Sequence, residues 1–113
     1  MQAEFRKAAI DVSPGAVERV RRVAGRESMP YVVLRLKRSG CSGFKYEMTA
    51  AARAPSNVAA VACGDVWLLV DPLSELFLFG AQVDVEADAF GERFVFTNPN
   101  ERSACGCGLS VGF

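Results

Sequence analysis

The chain contains no histidine. Ser–His–Asp and Cys–His nucleophile pairs therefore cannot be assembled within it. Histidine-ligated zinc and haem sites are excluded on the same ground. Net charge is missing too: 13 basic and 13 acidic residues give +0, which removes the electrostatic footprint of a general nucleic-acid binder. No apolar run approaches the ~20 residues that span a bilayer. The segment Met1–Asp11 is mixed polar and has no apolar signal core. These absences predict a cytoplasmic protein with neither a nucleic-acid nor a membrane partner. In a reducing compartment, structural disulfides are not expected. Any metal chemistry must rest on four cysteines, on carboxylates, or on a partner.

What is present reads as one globular domain, residues 1–113, with a modest core. Half of the residues are hydrophobic and 23% are charged, an ordinary balance for such a domain. Ser13-Pro14-Gly15 marks a helix start, with Ser13 as cap and Pro14 in the first turn. Ala16, Val17, Val20, Val23 and Ala24 recur at helical spacing, and Gly25 is a plausible stop. Arg19, Arg22 and Arg26 fall on the opposite, solvated face.

After Pro30 the period changes to two. Tyr31–Lys37 and Phe44–Thr49 read as strands around a glycine-bracketed turn at Ser39–Gly43. Val58–Ala62 and Val66–Val70 read as a hairpin through Cys63-Gly64-Asp65. Asp71-Pro72 predicts a second, short helix ending at Gly80. Gln82–Glu86 and Arg93–Thr97 are two further strands. Beyond Asn98-Pro99-Asn100 the pattern is lost, and the glycine-rich tail 101–113 is expected to be mobile without cargo. The expected fold is mostly β (α+β): a compact sandwich or pseudo-barrel of about six to seven strands, with an N-terminal helix and one short helix.

Cys41, Cys105 and Cys107 each lie among glycines, in Gly40-Cys41-Ser42-Gly43 and Cys105-Gly106-Cys107-Gly108. Glycine reaches positive φ and lets backbone N–H groups approach a ligand closely. A thiolate-bound metal needs both: sulfurs turned to one point, and amides that stabilise their charge. Cys63 stands alone and reads as a non-ligand that behaves as a small hydrophobe. Cys-x-Cys by itself also fits a redox dithiol or part of a zinc site. Three cysteines fall one short of a tetrahedral thiolate site, so Cys63, a partner subunit or an outside ligand must complete it. A cluster held incompletely by a flexible tail should be labile, which suits a delivery protein. Arg35, Lys37, Arg38 and Lys45 flank Cys41; they either favour its thiolate and an anionic cluster or serve strand-edge solubility.

Gly40-Cys41-Ser42-Gly43-Phe44-Lys45-Tyr46 resembles the first cysteine motif of the A-type iron–sulfur carriers, the HesB-like or IscA-like proteins. Asn98-Pro99-Asn100 followed by Cys105-Gly106-Cys107-Gly108 resembles their C-terminal signature, and the interval between the motifs fits. Val70-Asp71-Pro72-Leu73-Ser74 and Gly80–Asp84 resemble the segments between, so the likeness runs from about Ile10 onward. It implies a [2Fe–2S] or [4Fe–4S] cluster, or iron, bound by Cys41, Cys105 and Cys107. It implies a homodimer or higher oligomer, scaffold proteins as donors and apo iron–sulfur proteins as recipients, and no enzymatic activity. Leu109 stands where many relatives carry an acidic or hydroxyl residue. Two other readings remain open from the residues: an iron donor using the same thiolates, and a thiol–disulfide protein using Cys105 and Cys107. A zinc-stabilised binding module is a third, although the apolar body has no need of metal to fold.

Overall fold

The computed structural model describes residues 5–38, 44–54, 57–100, 103–104 and 111–112, the last two pairs as backbone. In chain order the elements are β1 (Phe5–Lys7), β2 (Asp11–Val12), α1 (Pro14–Arg26), β3 (Tyr31–Arg38), β4 (Phe44–Ala51), β5 (Val58–Cys63) and β6 (Val66–Val70). Then follow α2 (Glu75–Leu78), β7 (Gln82–Asp88), β8 (Gly91–Thr97), β9 (Ser103–Ala104) and β10 (Val111–Gly112). A larger sheet has the order β1-β5-β6-β3-β4-β10-β9, and a smaller one the order β2-β7-β8. Neither closes on itself, and the chain is mostly β as its alternation predicted.

The core lies between the sheets and α1. Ala16, Val20 and Ala24 recur every four residues and are wholly buried. They meet Val32, Leu34, Leu68 and Val70 from the larger sheet and Val83 from the smaller one. Each such Leu or Val contributes roughly 1.5–3 kcal/mol on burial. Val58, Ala60 and Leu69 face outward from the larger sheet and are covered by Phe5, Tyr31, Val33 and Ala54. Ser13 caps α1, its Oγ accepting from Ala16 N at 3.1 Å. The same hydroxyl donates to Asp84 Oδ1 at 2.7 Å, tying the helix start to β7 and holding the Asp84 carboxyl below its usual range.

Several expectations need correction. The six predicted strands are present, but four short ones join them: β1, β2, β9 and β10 are two or three residues long. Segments so short carry no readable period; partner strands make them. Gly25 does not stop α1, which runs to Arg26 and is capped by Glu27, while Ser28 takes the left-handed conformation at φ 52°. The second helix starts at Glu75, three residues after Pro72, and Asp71 caps a turn instead. Cys63 is not in the hairpin turn. It ends β5 opposite Val66, leaving the two-residue turn Gly64-Asp65 with Gly64 at φ +68°, the position where a type II′ turn demands glycine. The arginine face of α1 is not simply solvated. Arg19 and Arg22 both pair with Glu92 of β8, and the Arg19 guanidinium lies 5.2 Å from the Phe94 ring centroid. Helical periodicity shows which face is polar; only the placement of β8 beside it shows that the face is covered.

Candidate functional site

Cys41, Cys105 and Cys107 lie outside the described residues, as does most of the tail expected to be mobile. What is described is the frame that carries them. The β3–β4 ladder closes at Arg38↔Phe44, and residues 39–43 join its two ends. Phe44 pairs in turn with Val111, and Val111 with Ala104. Arg38, Phe44, Val111 and Ala104 thus stand in one row across four neighbouring strands, each step about 4.5–5.5 Å. Cys105 directly follows Ala104 in the chain, Cys107 is three residues from it, and Cys41 is three residues from both Arg38 and Phe44. The strands flanking the two cysteine motifs are neighbours at one edge of one sheet.

Two polar fasteners hold this edge. Asn98 is buried. Its Nδ2 donates to Phe77 O at 2.8 Å, and its Oδ1 accepts from the backbone N of Asn100 at 2.9 Å. Asn100 Nδ2 donates to Phe79 O at 2.7 Å. The Asn98-Pro99-Asn100 motif therefore fixes the root of the tail to the end of α2, just before the segment that leads to Cys105. Pro99 also packs against Gly80, whose φ of +83° a side chain would strain, and a Cβ there would come within 3.3 Å of Pro99 Cγ. The second fastener is Ser74, also buried. Its Oγ accepts from the N–H of Leu36 at 3.0 Å and donates to Asp71 Oδ2 at 3.2 Å, locking the α2 segment to β3. Ser74→Ala is expected to leave the Leu36 N–H without its acceptor and cost about 1–3 kcal/mol, read as a lower urea midpoint at an unchanged slope. The sequence pattern singled out both motifs but not these roles. An Asn in Asn-Pro-Asn signals a side chain bonding its own backbone two residues on, whereas the bonds to Phe77 and Phe79 are long-range.

Cys63 is wholly buried in the core, and burial pushes its thiol pKa up, only partly offset by a backbone hydrogen bond from Leu68. A thiol held protonated is a poor metal ligand. Among the described residues no group of three or more acidic or cysteine side chains could hold a metal ion. Of the four cations around the first cysteine, Arg35 and Lys37 lie 3.7 Å from Glu47. Lys45 and Arg38 are exposed. Across the core, Tyr46 stacks on Phe96 with ring centroids 4.3 Å apart, which pins β4 to β8 behind the Phe44 row.

Residues 8–109 match the sequence profile of the family described as iron-sulphur cluster biosynthesis. The chain belongs to that family. It is 38% identical over 108 residues to the iron-sulfur cluster insertion protein ErpA of Stutzerimonas stutzeri, covering 94% of this chain and 93% of that one. It is 40% identical over 103 residues to a putative second ErpA of Burkholderia vietnamiensis, covering 89% and 83%. Escherichia coli SufA, involved in biosynthesis of iron-sulfur clusters, superposes with a TM-score of 0.73 at 25% identity over the whole of both chains. IscA, crystallised with a [2Fe-2S] cluster, shares the fold with a TM-score of 0.77 at 20% identity, covering 91% and 96%. The likeness to A-type carriers first seen in the cysteine motifs is therefore carried by the whole chain, which is an iron–sulfur cluster biosynthesis carrier by family.

Proposed function

We propose that the chain takes up an iron–sulfur cluster, [2Fe–2S] or [4Fe–4S], as cargo on Cys41, Cys105 and Cys107 and delivers it to apo proteins. The observation that supports this reading is the row Arg38–Phe44–Val111–Ala104, from which each of the three cysteines is at most three residues away along the chain. Cys63 plays no part. The likeness to insertion proteins supports delivery, and the bound cluster of the structurally similar IscA supports the cargo. The whole chain acts as one carrier domain in the cytoplasm, without catalysing a reaction of its own.

Three thiolates need a fourth ligand, so the loaded form is a homodimer or higher oligomer, or takes its last ligand from outside. Leu73, Leu76 and Phe79 support association: they crowd around α2 at 89%, 79% and 67% exposure, far more apolar surface than a short segment usually leaves in water. Scaffold proteins would supply the cluster. Transfer is ligand exchange, and a recipient with four preorganised cysteines completes the coordination shell that this chain leaves open. Mixed anaerobically with an apo-ferredoxin, the loaded protein is expected to restore the acceptor's cluster several-fold faster than free iron and sulfide do, and to do so in the presence of a competing chelator. Equal rates from the carrier and from free ions would leave iron binding as the better account, and acid-labile sulfide on the anaerobically purified protein would then be absent.

A further inference from the structure

The net charge of zero conceals a separation. Residues paired across an antiparallel ladder share one face of the sheet. The pairs Arg35↔Glu47 and Lys37↔Lys45 therefore put four charged side chains on one face of β3 and β4. It is the outer face, because Leu34, Leu36, Tyr46 and Met48 alternate with them and join the core. One carboxylate stands there against three cations, 3.7 Å from both Arg35 and Lys37. Lys37 and Lys45 are directly opposite, an arrangement that destabilises a ladder. Among the described residues no carboxylate pairs with Lys45, nor with Arg38 at the strand end. The acids gather on the other sheet. Asp84, Glu86 and Asp88 are exposed and alternate along β7 with Val83 and Val85, which turn to the core. The two outer faces point away from the shared core and carry opposite charge.

We infer that the basic face of β3 and β4 is the docking surface for an acidic patch on the protein that receives the cluster, an inference that rests on the carrier reading above. Its position favours this: Lys37 and Lys45 lie four residues before and four after Cys41, so a partner held there is held beside the cargo. Surface charge suits a handover, since it raises the encounter rate more than it prolongs the complex. A nucleic acid fits poorly, because a few cations displace few counterions, and the rings on this face, Phe5, Tyr31 and Trp67, pack against one another, with Tyr31 at the far end of β3 from Lys37. A second copy offering its β7 acids would make a head-to-tail contact, which builds a ring or a filament and not a two-fold pair.

The test uses two designed four-cysteine acceptor peptides, one flanked by a run of glutamates and its twin flanked by glutamines. From the anaerobically loaded full chain, the glutamate acceptor is expected to gain cluster about tenfold faster at low ionic strength, with the ratio falling toward one as salt screens the charges. Lys37→Glu/Lys45→Glu should bring the ratio to about one, whereas Arg93→Glu on the other sheet should leave it. Lys45→Glu alone should lower the ratio yet raise the melting midpoint, because it turns a like-charge pair into an opposite one. A variant that had merely lost structure would lose both. A second arm needs no cluster: the Cys41→Ser/Cys105→Ser/Cys107→Ser chain should bind a labelled, serine-substituted glutamate peptide in a salt-dependent way, about tenfold more weakly after Lys37→Glu/Lys45→Glu. Binding in this arm without transfer in the first would sink the carrier reading and keep the acidic-partner surface. Equal behaviour of the two peptides in both arms would overturn the inference. So would tighter binding of a single-stranded oligonucleotide, or salt-sensitive self-association that competes with the peptide.

Discussion

Reconstituted anaerobically with iron and sulfide, the protein should develop a visible chromophore that Cys41→Ser, Cys105→Ser and Cys107→Ser each reduce to a small residue of the original. A serine hydroxyl at neutral pH is protonated and hard, and offers soft iron–sulfur chemistry almost nothing in place of a thiolate. Cys63→Ser should behave oppositely. It leaves the chromophore largely intact but costs stability, because the core closes completely around position 63 and would have to take in a hydroxyl where it now holds a thiol. A cost of roughly 1–3 kcal/mol is expected, measured by urea unfolding of the apo protein. The two readouts cross: three variants lose colour and keep the body of the fold, and one keeps colour and loses stability. Full chromophore in the Cys105→Ser/Cys107→Ser double variant would dismiss the assigned ligands.

Asn98→Ala should have the largest effect of any polar substitution in the described residues. It removes the donor to Phe77 O and the acceptor for the Asn100 N–H, at 2.8 and 2.9 Å, from a buried site. A loss of about 2–3 kcal/mol follows from the two unmade bonds. The site reading adds a second consequence. Asn98 anchors the chain just ahead of the Cys105 segment, so the variant should also retain less cluster under conditions where it is still fully folded. Val20→Ala serves as the comparison. It opens a cavity under α1, at a site wholly buried in the core and lacking the tail contacts, and costs a similar amount. If both variants lose cluster to the same degree, Asn98 matters only through global stability. If Asn98→Ala alone loses it, the Asn-Pro-Asn segment positions the ligands.

Much of this was legible from residue order. The alternation of Val32, Leu34 and Leu36 against Val33, Arg35 and Lys37 gave β3 its two faces, and Ser13-Pro14 opened α1 as expected. Long elements with one buried face write their period into the chain. The second helix starts three residues later than Asp71-Pro72 predicts, because that pair suits a turn as well as a helix start and local chemistry cannot choose between them. Ser74 decides it: its hydroxyl accepts the Leu36 N–H of β3.

The sequence by itself determined the chemistry available: no imidazole, three thiols among glycines, one thiol apart, and equal numbers of opposite charges. Those are properties of composition and of neighbours in the chain, and folding cannot change them. Only the tertiary structure decided where they act. Pairing of Phe44 with Val111 and of Val111 with Ala104 set the strands that flank the two cysteine motifs side by side. The register of β3 on β4 put Lys37 against Lys45, and β7 carried the acids to the opposite outer face. Proximity across a ladder depends on register, and register is settled by which faces the whole core must bury.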